Sequence, residues 1–189
     1  MKLFRRVEDL LDKERRAKRR TAQSLYAQIV QFARRTAFYQ DHRVPDTLDG
    51  RFELLALHTV LVCRRLAAEG ETGAEMGQLV FDEMIGDLDV NLRELGVNDP
   101  SLGRRIKEMA RAFFGRREAY AAALDANDRT ALEDALARNL YGTVEDPGDV
   151  VPLVTGYVEQ AAAALAAQPM IQLQESRLAF PEVPTREMA

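Results

Sequence analysis

The chain has 189 residues, 47% of them hydrophobic, with a formal net charge of −4. That is enough apolar material for one well-formed core and the length of one domain. One cysteine, Cys63, excludes an internal disulfide and a thiolate-based zinc cluster, and two histidines leave little for an imidazole metal site. Alanine and leucine dominate, tryptophan is absent, and β-branched runs are scarce. This composition predicts an all-α fold, an irregular multi-helix bundle. The excess of arginine over lysine points to a high-GC bacterial genome.

Residues 1–20 carry nine Lys/Arg against four Asp/Glu, a net +5, which leaves −9 on the rest of the chain. Leu3, Phe4, Val7, Leu10 and Leu11 recur at helical spacing among the charges, so this segment is expected to be a basic amphipathic helix. Its candidate polyanion or anionic-membrane contacts are Lys2, Arg5, Arg6, Arg15, Arg16, Arg19 and Arg20. Glu8, Asp9, Asp12 and Glu14 dilute that face, and a solvated terminal helix is the alternative. No apolar h-region of a secretory signal follows, and the longest apolar run, 54–63, is far short of the ~20 residues of a membrane span. The expectation is a protein of the cytoplasm, soluble or peripheral on the inner face of the membrane.

Residues 21–168 read as the helical body and 169–189 as an extended tail interrupted by prolines. Thr21–Tyr39 is predicted to be a helix with Leu25, Tyr26, Ile29, Phe32 and Ala33 inward. The loop 40–50 contains Pro45 and ends with Asp49 as a candidate cap. Arg51–Leu66 is apolar almost all round, as expected of a near-fully buried central helix. It holds Cys63, read as a small buried apolar residue, and His58, for which a core hydrogen bond weighs against a ligand or acid–base role. A glycine-bounded loop is expected over 67–73.

Residues 75–116 form the most patterned stretch, two helices joined by a tight turn. Phe81, Ile85, Leu88, Leu92 and Leu95 make one stripe, Gly96 supplies a left-handed stop, and Asp99 with Pro100 is expected to open the next helix. The first helix is acidic (Asp82, Glu83, Asp87, Asp89). The second is basic (Arg104, Arg105, Lys107, Arg111, Arg116, Arg117). EF-hand spacing fails from Asp82, E-x-x-H pairs are absent, and no P-loop or nucleophile elbow occurs, so neither a metal, a cofactor nor an enzyme is argued. The basic set is expected to pair with the acidic helix before it or to serve a protein-binding face. Gly115 marks a possible bend, and the helix is expected to fray over 121–124. Thr130 and Glu133 have capping-box spacing before a face of Leu132, Leu136 and Leu140. Asp149 is placed to cap a last helix over 150–167, which Pro169 ends.

Three blocks in order, VPDTLDGRFELLALHTVLVCRRL, FDEMIGDLDVNLRELGVND and GRRIKEMARAFFGR followed by Tyr120, resemble the ubiquinol–cytochrome c chaperone family. The similarity spans roughly Leu25 to Ala167. The resemblance implies a non-enzymatic, all-α assembly chaperone of the cytochrome bc1 complex. Its partners would be apocytochrome b or another bc1 subunit and possible contacts with the ribosome and an anionic membrane, with no specific DNA. The family's polar signature falls at Asp46, Asp49, Arg51, His58, Asp82, Asp87, Asp89, Arg93, Glu94, Asp99, Lys107 and Arg116. The candidate protein-binding set within it is Asp46, Arg51, His58, Asp82, Asp89, Arg93, Glu94, Lys107 and Arg116. A helical adaptor at the ribosome or membrane is the alternative.

Overall fold

The structure, a computed structural model, describes residues 2–184, with side chains from Asp12 onward. The described residues contain helices α1 (Lys2–Ala33), α2 (Thr36–Gln40), α3 (Leu48–Ala67), α4 (Glu71–Glu94), α5 (Asp99–Ala126), α6 (Arg129–Leu140), α7 (Val150–Ala167) and α8 (Met170–Gln174), and no strand. The expected all-α bundle with a nearly apolar central helix is what forms. In α3 only Leu48, Asp49, Arg51, Arg64 and Ala67 escape burial. Helices α1, α4, α5, α6 and α7 all pack against it. A helix apolar on every side is stable in water only when surrounded, and this requirement sets the architecture.

Several boundaries differ from the sequence reading, each for a local reason. The basic segment and the stripe from Thr21 are one helix, since nothing between Arg20 and Thr21 breaks it. The break comes later, at Arg34–Arg35, so the helix expected over 21–39 is two. Helix α3 is capped by Thr47, whose hydroxyl accepts from the Gly50 N–H at 3.1 Å, and not by Asp49. The loop expected over 67–73 shrinks to 68–70, because Gly73 lies inside α4. Asn98, not Asp99, caps α5 by accepting from the Ser101 N–H at 3.2 Å. Helix α5 continues unbroken past Gly115 and does not fray at 121–124; it stops at Asn127, in the left-handed region at φ 51°. Asp128, not Thr130, caps α6, accepting from the Ala131 N–H at 2.9 Å.

The α4–α5 turn forms as its sequence demands. Gly96 has φ 80°, Val97 N–H donates to the Leu92 carbonyl at 3.1 Å and Gly96 N–H to that of Arg93 at 2.9 Å. These two bonds are a Schellman closure, which satisfies carbonyls the helix end would otherwise leave open. Helix α7 is long and apolar enough to cross a membrane by length and composition alone. Here its apolarity has another use. Val150, Val151, Val154, Thr155, Tyr157, Val158, Ala161, Ala162 and Leu165 are buried in the core.

After α8 the chain is an extended strap. Gln28 grips it twice, its amide nitrogen donating to the Ser176 carbonyl and its oxygen accepting from Leu178 N–H at 3.1 Å. Gln168 does the same from the other side, donating to the Arg177 carbonyl at 2.8 Å and accepting from Ala179 N–H at 3.0 Å. The strap then buries Phe180 against Phe32 and His58, and Arg35 pairs with Glu182 at 2.8 Å.

Candidate protein-binding groove

The most chemically suggestive concavity is a groove of about 1240 Å³ where α4 and α5 diverge beside the C-terminal ends of α3 and α7. Its floor follows from two sequence features. Gly77 has no side chain, so α4 approaches α3 closely enough that a Cβ there would lie 3.7 Å from the Cys63 Cα. Cys63 Sγ points at the Gly77 carbonyl, 3.4 Å away, and burial pushes its thiol up to about 12, so it lines the groove as an unreactive apolar group. Phe81 of α4 meets Phe113 and Phe114 of α5 with ring centroids 4.8 and 5.1 Å away. Phe113 is buried, whereas Phe114 is 41% exposed and carries the Arg117 guanidinium 4.9 Å from its ring centre. Arg64, paired with Asp125 at 2.6 Å, closes one rim.

The candidate residues from the sequence do not converge on this groove. His58 is fully buried. Its Nδ1 lies 2.7 Å from the Leu54 carbonyl, which can only accept, so Nδ1 carries the proton. Its Nε2 therefore accepts from the Tyr157 hydroxyl at 2.8 Å. Burial lowers its pKa to about 4, and the ring is a neutral core group, as the core reading anticipated. Asp46 and Arg51 pair on the surface at 2.6 Å. Arg51 and Glu94 line a separate cavity of about 260 Å³ with an apolar floor of Val30, Phe52 and Leu55. Arg93 ties Asp89 at 2.8 Å to Asp99 at 2.7 Å, clamping the α4–α5 turn. Asp82 accepts from the Gln78 amide at 2.7 Å.

Arg116 has a role the sequence did not reveal. Its Nε and Nη2 donors hold the Glu53 carboxylate of α3, and its Nη1 group donates to the Ala112 carbonyl at 2.9 Å. Burial raises the Glu53 pKa against the pull of that guanidinium. Glu53 was legible in principle, since a lone carboxylate inside an apolar helix requires a cation. The cation's position, 63 residues away, was not.

The expected pairing of the basic α5 with the acidic α4 does not form. Among the described residues only Arg93–Asp99 bridges the two helices, next to the turn. Arg104 reaches Glu108 of its own helix at 4.0 Å, Arg105 reaches Asp49 of α3 at 3.9 Å, and Lys107 and Arg111 make no ion pair. The helices diverge from their turn, and their charges lie on different faces. Of the basic arm, Arg15, Arg16, Arg19 and Arg20 are exposed on α1, and Lys18 pairs with Glu14 at 3.7 Å and Glu75 of α4 at 3.1 Å. The side chains of Lys2, Arg5 and Arg6 lie outside the described residues. The described residues hold no group of three or more His, Cys, Asp or Glu side chains arranged for a metal.

Fold and site together define a helical module organised around an open apolar groove. The model of the ubiquinol-cytochrome C chaperone family matches residues 40–180, and the chain belongs to that family. A crystal structure described as the Cbp3 homolog from Brucella abortus superposes with a TM-score of 0.82 at 35% identity, covering 94% of this chain and 97% of that one. The ubiquinol-cytochrome c reductase complex assembly factor 1 of Drosophila melanogaster is 27% identical over 80% of this chain and 60% of its own length. The Xenopus laevis protein of that name is 26% identical over 65% of this chain and 61% of its own. The chain thus spans about three-fifths of these two curated relatives.

Proposed function

We propose that this protein is a non-enzymatic chaperone for assembly of the bacterial cytochrome bc1 complex, and that its client is newly made cytochrome b. The supporting observation is the groove. It has an aromatic floor and an exposed Phe114, in a chain that belongs to a chaperone family. An apolar helix awaiting insertion needs temporary cover from water, and a groove between diverging helices offers it. The exposed arginines of α1 suit peripheral attachment to the anionic inner face of the cytoplasmic membrane. The same cations favour a second reading, in which the arm docks on the ribosome and the protein acts as an adaptor. Deleting the gene tests the first reading. It should lower cytochrome b and assembled bc1 complex together, and unchanged levels of both would sink it. Affinity isolation recovering ribosomal proteins without bc1 subunits would select the adaptor.

A further inference from the structure

Exposed cations of α5 lie in register with the groove, Lys107 and Arg111 without an ion pair among the described residues and Arg104 with only Glu108 of its own helix at 4.0 Å. Arg104, Lys107, Arg111 and Phe114 are exposed at successive spacings of three, four and three residues, so they form one stripe along a single face of α5. Three cations lead directly to the exposed aromatic at the groove's edge, and Arg111, Phe114 and Arg117 line the groove itself. This stripe sits on a body whose residues beyond 20 are net acidic, so its sign is a local feature and not the overflow of a basic surface. The exposed Arg104–Glu108 pair within one helix stabilises little, so the fold does not account for the stripe.

We propose that the groove receives a helical segment of a partner protein that is apolar on one face and acidic along its flank, the acidic flank lying on the Arg104–Lys107–Arg111 stripe. This rests on the reading of the groove as a protein-binding surface and adds the chemistry of what enters it. The volume accommodates roughly two to three turns of a helix about 10 Å across. The acidic flank sets orientation, since it can meet the three cations only when the segment runs along α5. A nucleic acid fits less well. The three phenylalanines pack on one another and Arg117 covers Phe114, so no ring stands free as a base-stacking platform. A lipid surface fits less well too, because the groove is concave.

The test uses the full chain and fluorescence anisotropy with a synthetic amphipathic helix bearing a leucine face and a glutamate flank. Its controls are the same peptide with lysine for glutamate, an oligouridine, and phosphatidylglycerol vesicles. The glutamate peptide should bind, more weakly as salt rises, and the lysine peptide should not. The variant R104E/K107E/R111E should weaken the glutamate peptide by about tenfold or more and admit the lysine peptide. These side chains are exposed, and circular dichroism checks the fold. Should the triple variant fail to fold, Lys107→Glu alone is expected to shift the preference the same way. Equal binding of both peptides, no binding of the glutamate peptide, binding of only oligouridine or vesicles, or indifference to the reversal overturns the proposal. Normal bc1 levels in the deletion strain with selective binding of the glutamate peptide would remove the assembly role and leave the docking chemistry standing.

Discussion

His58 shows how a buried titratable group can set pH dependence without taking part in function. Its folded pKa of about 4 lies below the value near 6.5 of an unfolded histidine. Between those values the unfolded chain binds a proton that the folded chain does not, so stability present above pH 6.5 is lost as pH falls through the window. At pH 4.5 the loss relative to pH 7 is about 2 kcal/mol from this group. Urea unfolding at the two pH values should show it as a difference between wild type and His58→Gln. The variant starts less stable, because Tyr157 and Leu54 lose their partner, but its stability falls less steeply. Equal slopes would assign the acid sensitivity to other groups. The Glu53–Arg116 pair makes a complementary prediction. Arg116→Ala leaves a carboxylate that is 7% exposed without its cation and should cost roughly 3 kcal/mol by denaturant titration. Combining it with Glu53→Leu should recover part of that loss. Both sites were half legible from the chain. The sequence placed His58 and Glu53 in a buried helix, but their partners Tyr157 and Arg116 sit on other helices, and pairing across helices depends on packing that periodicity does not encode.

Elements and their ends separate local from tertiary information more sharply. The α4–α5 hairpin was readable because its signals are local: an apolar stripe, a glycine with positive φ, and a polar residue before proline. The misplaced caps were off by one or two residues, since Thr47 and Asp49, Asn98 and Asp99, Asp128 and Thr130 are all competent cap types and the backbone path decides between them. Two glycines now differ in a testable way. Gly96 has positive φ and open space around it, so Gly96→Ala should cost about 1 kcal/mol of purely conformational strain. Gly73 sits where α4 begins against the end of α3, and a Cβ there would lie 2.0 Å from the Leu66 carbonyl oxygen. Gly73→Ala must therefore move the two helices apart and should cost clearly more, roughly 2–3 kcal/mol. Thermal melting of the two variants side by side checks the order. Reversal would mean that the α3–α4 junction relaxes more easily than the turn.

At the scale of the whole molecule, the two chain ends are attached in opposite ways. Residues 12–20 of α1 are exposed apart from a partly covered Lys18, and the helix enters the core only from Ala22 onward, where Leu25, Tyr26 and Ile29 are buried. The C-terminal strap is gripped by Gln28 and Gln168, and Phe180 and Val183 are 9% and 5% exposed. Among the described side chains, removing residues 1–17 takes away only exposed ones, so the melting temperature is expected to change little, while ending the chain after Gln174 should lower stability by several kcal/mol, given roughly 2–3 kcal/mol for each large apolar side chain unburied. The same truncations separate fold from attachment. If the arginines of α1 hold the protein to anionic membrane, the first truncation loses sedimentation with phosphatidylglycerol vesicles, most clearly at low salt where exposed charges are least screened. The strap truncation, tested at a temperature where it remains folded, retains it. A shortened arm that still pellets with vesicles would place the membrane contact on the body, where the basic stripe of α5 is the next candidate, and charge reversal at Arg104, Lys107 and Arg111 would then have to abolish it.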